Sequence, residues 1–114
     1  MTLHSSPTEI VNRQLSAYNS RDIDAYCALF SRDAVLSKLD TGEEFVRGIE
    51  ALRAYYTTRF SNPALHCRIV NRVEIGNFVI DHEEVAGVRD GLLRVVAIYE
   101  VRDSLIRTVR FIWP

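Results

Sequence analysis

The densest group of ionisable side chains in the chain is Asp81-His82-Glu83-Glu84, inside a segment whose alternation reads as a strand. A period of two puts Asp81, Glu83 and Val85 on one face of that strand and His82 and Glu84 on the other. A carboxylate that faces an apolar space has a raised pKa, which poises it as a general base. Charges in a sheet also commonly pair across strands, and Arg68, Arg72 and Arg94 are on hand as partners. Both readings stand at this point. The second chemical signal is aromatic: Tyr18, Tyr26, Tyr55, Tyr56, Tyr99, Phe111 and Trp113. Aromatic walls accept flat apolar molecules and offer hydroxyl or indole donors at the edge, and the same rings can simply fill a core.

His82, opposite Asp81 and Glu83 in phase, reads as structural. His66 opens a strand, and His4 lies in a start expected to be disordered over residues 1–6. The histidines and acids show no metal-ligand spacing such as H-E-x-x-H, so neither metal nor cofactor is expected. Cys27 and Cys67 are the only cysteines and lack C-x-x-C spacing. Cys27 reads as a small core residue, and Cys67 has no evident base to make it a nucleophile.

The elements that must position these residues are legible from caps and turns. Ser6-Pro7-Thr8-Glu9 is a helix start with a capping box and proline at the first helical position. Val11, Leu15 and Tyr18 follow at helical spacing, and Asn19-Ser20-Arg21 breaks the pattern. Asp22 caps a second helix whose expected buried face is Ala25, Tyr26, Leu29 and Phe30. Ala34 to Leu39 and Phe45 to Arg47 read as short strands around a turn at Asp40-Thr41-Gly42. Ile49 to Phe60 reads as a third helix, stopped by Asn62-Pro63. Four long strand patterns follow: His66 to Ile75, Phe78 to Val88, Leu92 to Val101 and Leu105 to Trp113. Tight turns join them into an antiparallel meander.

Helices followed by strands argue an α+β domain spanning residues 1–114. Val95-Val96-Ala97-Ile98 is apolar throughout, so both faces of that strand should be covered. The helices supply one cover, and a second copy of the chain is the simplest source of the other. With Tyr99 and Phe111 pointing inward, Val96, Ile98, Ile106 and Ile112 should form that outer apolar face.

The 114 residues suit one domain. Net charge is −1, with basic and acidic residues interspersed, which argues against a nucleic-acid partner. Of the basic residues only Lys38 is lysine and the rest are arginine. No segment approaches the roughly 18 apolar residues of a membrane span, and no apolar leader opens the sequence. A cytoplasmic protein with reduced thiols is expected.

The chain resembles the nuclear transport factor 2-like superfamily, nearer its SnoaL-like and ketosteroid-isomerase-like branch. The resemblance runs from about Thr8 to Trp113. It is carried by Ala17-Tyr18-Asn19-Ser20-Arg21-Asp22-Ile23-Asp24-Ala25-Tyr26, by Leu29-Phe30-Ser31-Arg32-Asp33-Ala34-Val35 and by Arg47-Gly48-Ile49-Glu50-Ala51-Leu52. Asn71 to Glu83 and Ala97-Ile98-Tyr99-Glu100-Val101 complete it. The resemblance implies a cone: a curved, mostly antiparallel sheet wrapped around three helices from the first half, with an apolar cavity between and a homodimer through the outer sheet face. Matched to the family's inward positions, Asp81 and Glu83 face that cavity. Tyr99 becomes a hydrogen-bond donor into it, and Tyr18, Tyr26, Tyr56, His66, Val101, Phe111 and Trp113 become its lining. The isomerases' tyrosine, base and protonated aspartate fall at Gln14, Lys38 and Tyr99, so the chain departs from the steroid isomerase pattern at the base. The function implied is binding of a small apolar molecule. With it goes cofactor-independent proton transfer of isomerase, cyclase or dehydratase type on a carbonyl compound, Asp81 or Glu83 acting as base. The alternative is a non-catalytic binding or dimerisation module, because this fold hosts many chemistries.

Overall fold

The computed structural model describes residues 5–114. His4 therefore lies outside the described residues. Ser5 and Ser6, expected within a disordered start, hold defined places: the Ser5 amide donates to Ser104 Oγ at 3.1 Å, and Ser6 caps the first helix.

Helix α1 (Pro7–Ser20) opens on the full capping box. The Glu9 amide donates to Ser6 Oγ and the Ser6 amide donates to the Glu9 carboxylate, both at 3.2 Å. Its buried residues Ile10, Val11, Gln14, Ala17 and Tyr18 recur at helical spacing, so one stripe faces the sheet. The chain leaves α1 through Arg21 in the left-handed conformation (φ 54°). Asp22 then caps α2 (Ile23–Cys27) by accepting from the Ala25 amide at 3.1 Å.

Helix α2 is shorter than its sequence pattern suggests. It buries Tyr26 and Cys27, leaves Ala25 exposed, and stops before Phe30. Phe30 is instead the first residue of β1 (Phe30–Lys38), where it pairs with Ile106 while the Ile106 amide donates to the Leu29 carbonyl at 2.8 Å. Tertiary strand pairing overrides the local helical spacing.

Strand β2 (Glu44–Arg47) returns against β1, and α3 (Ile49–Phe60) follows, burying Leu52, Tyr56 and Phe60. Strands β3 (His66–Ile75), β4 (Phe78–Ala86), β5 (Leu93–Arg102) and β6 (Leu105–Ile112) form the meander. The six-stranded sheet runs in the order β2-β1-β6-β5-β4-β3, antiparallel except for the β1–β6 pair. The architecture is α+β, an open curved sheet with the helices held on its concave side. Register shifts at Phe30/Val35, Leu36/Ser37, Ile69/Asn71 and Glu100/Val101 bend it, because a bulge adds twist where it sits.

The last of these shifts corrects one expectation. Ile106, placed on the outer face by simple alternation, is fully buried, because the bulge at Glu100/Val101 pairs it with Val101 on the inner side. Val96 and Ile98 stay half-buried and Ile112 exposed on the outer side.

Two side chains lock the helical layer to the rest. Asn19 spends its amide on the edge of β3, donating to the Cys67 carbonyl at 3.0 Å and accepting from the Cys67 amide at 2.8 Å. Asn62 donates to the Gly87 carbonyl at 2.7 Å and so ties the end of α3 to the end of β4. Gly87 has φ 88°, and a Cβ there would lie 2.7 Å from Leu65 backbone atoms. A non-glycine residue meets both strain and a backbone clash. Gly87→Ala is accordingly expected to cost about 2–3 kcal/mol in chemical denaturation. A loss under about 0.5 kcal/mol, the range of a neutral surface change, would show that the crossing relaxes freely.

Candidate functional site

Between the concave face and the helices lies a cavity of about 190 Å³. Dry apolar cavities of roughly 150 Å³ admit benzene, so this one has room for about one or two rings. Its walls are mostly apolar and aromatic. Tyr18, Tyr26 and Tyr56 are buried and mutually packed, with Tyr26 and Tyr56 centroids 4.6 Å apart and Phe60 set edge-on to Tyr18 and Tyr26. Phe45, Tyr55, Phe111 and Trp113 line it as half-buried rings in contact with one another. Buried rings thus make the inner wall and half-buried rings the outer one.

The polar content is concentrated. Glu83 on β4 projects from the inner face into the cavity. Tyr99 lies on β5, four residues beyond Val95, which is the cross-strand partner of Glu83. Ala97 between them has only a methyl group, which leaves the Tyr99 ring room to lean back along the strand. The Tyr99 hydroxyl then donates to Glu83 Oε2 at 3.2 Å and approaches Gln14 Oε1 at 3.5 Å. Gln14, from α1, donates through Nε2 to the Tyr26 hydroxyl at 3.4 Å. Four polar side chains from four elements are therefore linked inside an otherwise apolar space.

Burial pushes the Glu83 carboxyl up to about 7, with the neighbouring Asp81 charge adding to the effect. The hydrogen bond from Tyr99, the adjacent Cys67 thiol and the Arg72 charge pull the other way without cancelling it. Burial likewise pushes Tyr99, Tyr26 and the Cys67 thiol well up, so all three remain protonated near neutrality. Among the described residues no arginine, lysine or histidine forms an ion pair with Glu83.

Asp81 behaves differently although it is two residues away on the same face. It is fully buried, but Arg72 takes both of its oxygens, with Nε to Oδ1 at 2.6 Å and Nη2 to Oδ2 at 2.9 Å. Arg72 also donates to Asn12 on α1. Asp81 does not line the cavity. The reason lies in β3. The bulge at Val70 reverses the alternation, so Arg68 faces outward onto Glu84 while Arg72 faces inward onto Asp81. Of the two carboxylates raised as candidate bases, one is thus neutralised in place and the other is left open.

The remaining site expectations divide in the same plain way. Tyr18, Tyr26, Tyr56, Phe111 and Trp113 line the cavity. His66 does not: it is exposed at the start of β3, with its neighbour Cys67 turned inward instead. Val101 is buried at the far end of β5, toward the β5–β6 turn, and lies outside the cavity. Lys38, at the position implied for the isomerase base, sits 5.6 Å from the centroid of Trp113. Among the described residues no group of three or more His, Cys, Asp or Glu is placed to hold a metal ion, and no helix is long and apolar enough to cross a membrane.

Phe45 and several aliphatic lining residues escaped the sequence reading, and so did two that carry chemistry, Cys67 and Arg59. Cys67 sits against Glu83, and its signal was the strand phase shared with Ile69 before the bulge. Arg59 reaches the cavity from the last turn of α3. Its signal was spacing, three and four residues after Tyr56 and Tyr55.

A family model described as a SnoaL-like domain matches residues 11–109. The chain belongs to the SnoaL-like family. Its fold is nuclear transport factor 2-like, and solved structures agree over nearly its whole length. An uncharacterised cystatin-fold protein from Novosphingobium aromaticivorans shares 27% identity at a TM-score of 0.82, over 95% of this chain and 98% of that one. A putative ketosteroid isomerase from Kribbella flavida shares 18% identity at a TM-score of 0.81, over 95% and 77%. A putative polyketide cyclase from Sinorhizobium meliloti shares 19% identity at a TM-score of 0.78, over 91% and 94%. No curated protein matches the chain in sequence.

For this SnoaL-like chain the raised Glu83 pKa has a thermodynamic signature. The folded state holds the Glu83 proton up to about pH 7, whereas an ordinary glutamate releases it near 4.5. Between these values the folded state binds more protons than the unfolded one, so this group's contribution to stability falls as pH rises. Glu83→Gln removes that loss. Its stability relative to wild type should rise by about 3 kcal/mol between pH 4.5 and pH 8, measured by urea denaturation at several pH values. A difference independent of pH would mean that Glu83 titrates like a solvated carboxylate.

Proposed function

We propose that this SnoaL-like protein is a cofactor-independent proton-transfer enzyme acting on a small apolar carbonyl compound, with Glu83 as the base. One observation carries the reading: a buried carboxylate without a cationic partner, its pKa near 7, set in an apolar cavity beside a tyrosine hydroxyl. A base is most effective when its pKa lies near the working pH. The ionised Glu83 accepts a proton from the carbon beside the substrate carbonyl. While it is ionised, Tyr99 donates to it. Once it is protonated it is a weaker acceptor, and the Tyr99 hydroxyl is released toward the enolate oxygen. The proton held on Glu83 then returns to carbon, at the original or a conjugated position, which makes the net reaction an isomerisation. Asp81 serves as a positioning residue, its charge held by Arg72 beside Glu83. The solved relatives described as a putative ketosteroid isomerase and a putative polyketide cyclase favour the same broad class.

The direct test is exchange of α-hydrogens for deuterium in heavy water, followed by proton NMR on a panel of cyclic and aryl ketones. Wild type should accelerate exchange, with the rate rising with pH to a plateau above about 7 as Glu83 ionises. Glu83→Gln should lower it by about 100-fold or more while the protein stays folded. Absence of acceleration across the panel, or full exchange by Glu83→Gln, would favour a non-catalytic binding module instead.

We further propose a homodimer through the outer sheet face. Val73, Ile80 and Ile98 are cross-strand neighbours there, as are His82, Val96 and Ile112. The adjoining row of Arg68, Glu84 and Arg94 carries both charge signs, which suits a face that meets its own copy. Sedimentation equilibrium at micromolar concentration should give a dimer mass, and Ile98→Arg should give the monomer. A monomeric wild type would exclude this assembly.

A further inference from the structure

Arg59 has an unusual setting for a guanidinium. Its side chain lines the apolar cavity, half-buried, with its Cζ 5.0 Å from the Tyr55 centroid and 6.0 Å from that of Tyr56. Nη2 donates to the Tyr55 hydroxyl at 3.0 Å. Among the described residues no carboxylate lies within ion-pair distance of it, and no carbonyl or carboxylate oxygen accepts a hydrogen bond from it. The other half-buried arginines all reach carboxylate or carbonyl oxygens: Arg72 pairs with Asp81, Arg107 with Asp103, and Arg21 donates to the Asn19 and Leu65 carbonyls. Withdrawing a cation from water without an anion is unfavourable, and the two tyrosine faces offset only part of it.

The cavity thus has two differently charged stations. Glu83 stands on β4 and Arg59 on α3, and the buried Tyr56 hydroxyl, also from α3, is acted on by both charges. A guanidinium set beside two rings and fixed by a hydrogen bond to one of them leaves its other N–H groups for an anion, and the planar fork grips a carboxylate.

We propose that the natural ligand of this cavity is an apolar, ring-containing carboxylic acid, its carboxylate held by Arg59 and its body lying along the aromatic wall toward Glu83. This rests on the reading of the cavity as a ligand site, and it does not require Glu83 to act as a base. The carboxylate would supply the anion that Arg59 lacks.

Trp113 is the only tryptophan and lines the cavity, so its fluorescence reports occupancy. The probes are phenylacetate and 1-naphthylacetate, each set against its neutral primary amide of nearly the same shape, titrated at pH 6. There the acids are ionised and Glu83 is largely protonated. Wild type should bind at least one acid about ten-fold or more tighter than its amide, the scale of a charge-assisted hydrogen bond. Arg59→Gln should abolish that preference while still binding the amide, and Glu83→Gln should keep it. Equal binding of acid and amide in every pair, or a preference that survives Arg59→Gln, overturns the proposal. If Arg59→Gln loses both ligands, Arg59→Lys decides: a retained preference for the acid supports the proposal, and a lost one overturns it. Because binding and not turnover is read, a failure here leaves the base reading standing, and a failed exchange assay leaves this one standing.

Discussion

A buried carboxylate must be paired or must give up its charge, and this constraint organises the concave side of the sheet. Asp81 and Glu83 both project there, two residues apart on β4. The sheet supplies one inward arginine. Arg72 reaches the inner side because the bulge at Val70 reverses the phase of β3, and it closes on Asp81 with two hydrogen bonds. Glu83, opposite Ile69 on β3 and Val95 on β5, has apolar cross-strand neighbours only. A single inserted residue in an adjacent strand therefore separates two chemically similar groups into a fixed ion pair and a titratable acid.

The helical layer holds the space in which that acid is buried. Tyr26 is packed among Tyr18, Phe30, Tyr56 and Phe60, so α1, α2, α3 and the start of β1 share one aromatic cluster. Asn19 and Asn62 then fasten this layer to β3 and to the end of β4 through backbone hydrogen bonds. Rings anchored at their backs cannot collapse onto the sheet. Ala97 on the facing strand presents little volume, so the gap between the layers remains a cavity instead of closing into core.

Much of this was legible in the sequence where local chemistry decides. The capping box at Ser6 and Glu9, the cap at Asp22, the strand at His66–Ile75 and the one expected at Phe78 to Val88, which ends two residues earlier at Ala86, follow from residue type and period alone. The sequence misled where a distant partner decides. Phe30 reads as the end of a helix but pairs with Ile106, and Ile106 reads as outward until the bulge at Glu100/Val101 turns it in. The choice of Arg72 over Arg68 or Arg94 for Asp81 was likewise hidden, because strict alternation gives Arg68 and Arg72 the same face. Arg59 was masked by its place in an ordinary last helical turn, where a basic residue is expected for the helix dipole. Only its direction of reach, into the cavity and over Tyr55, sets it apart.

Charge balance links these features to the chemistry the cavity can support. The Arg72–Asp81 pair is neutral as a unit. Arg59 lines the cavity and Lys38 stands against its Trp113 wall, so two cations flank the space without acidic partners among the described residues. When Glu83 is ionised, the local sum is about one positive charge. Transfer of a proton from carbon to Glu83 creates no new charge: it moves the negative charge from the carboxylate to the substrate oxygen. That movement costs little where fixed cations already flank the space, because their field acts on the charge at both positions without solvent having to reorganise. The lysine in place of a carboxylate at position 38 is thus compatible with proton transfer in this chain. On the proposed reading the base stands on β4, and position 38 would contribute to the field in which it works.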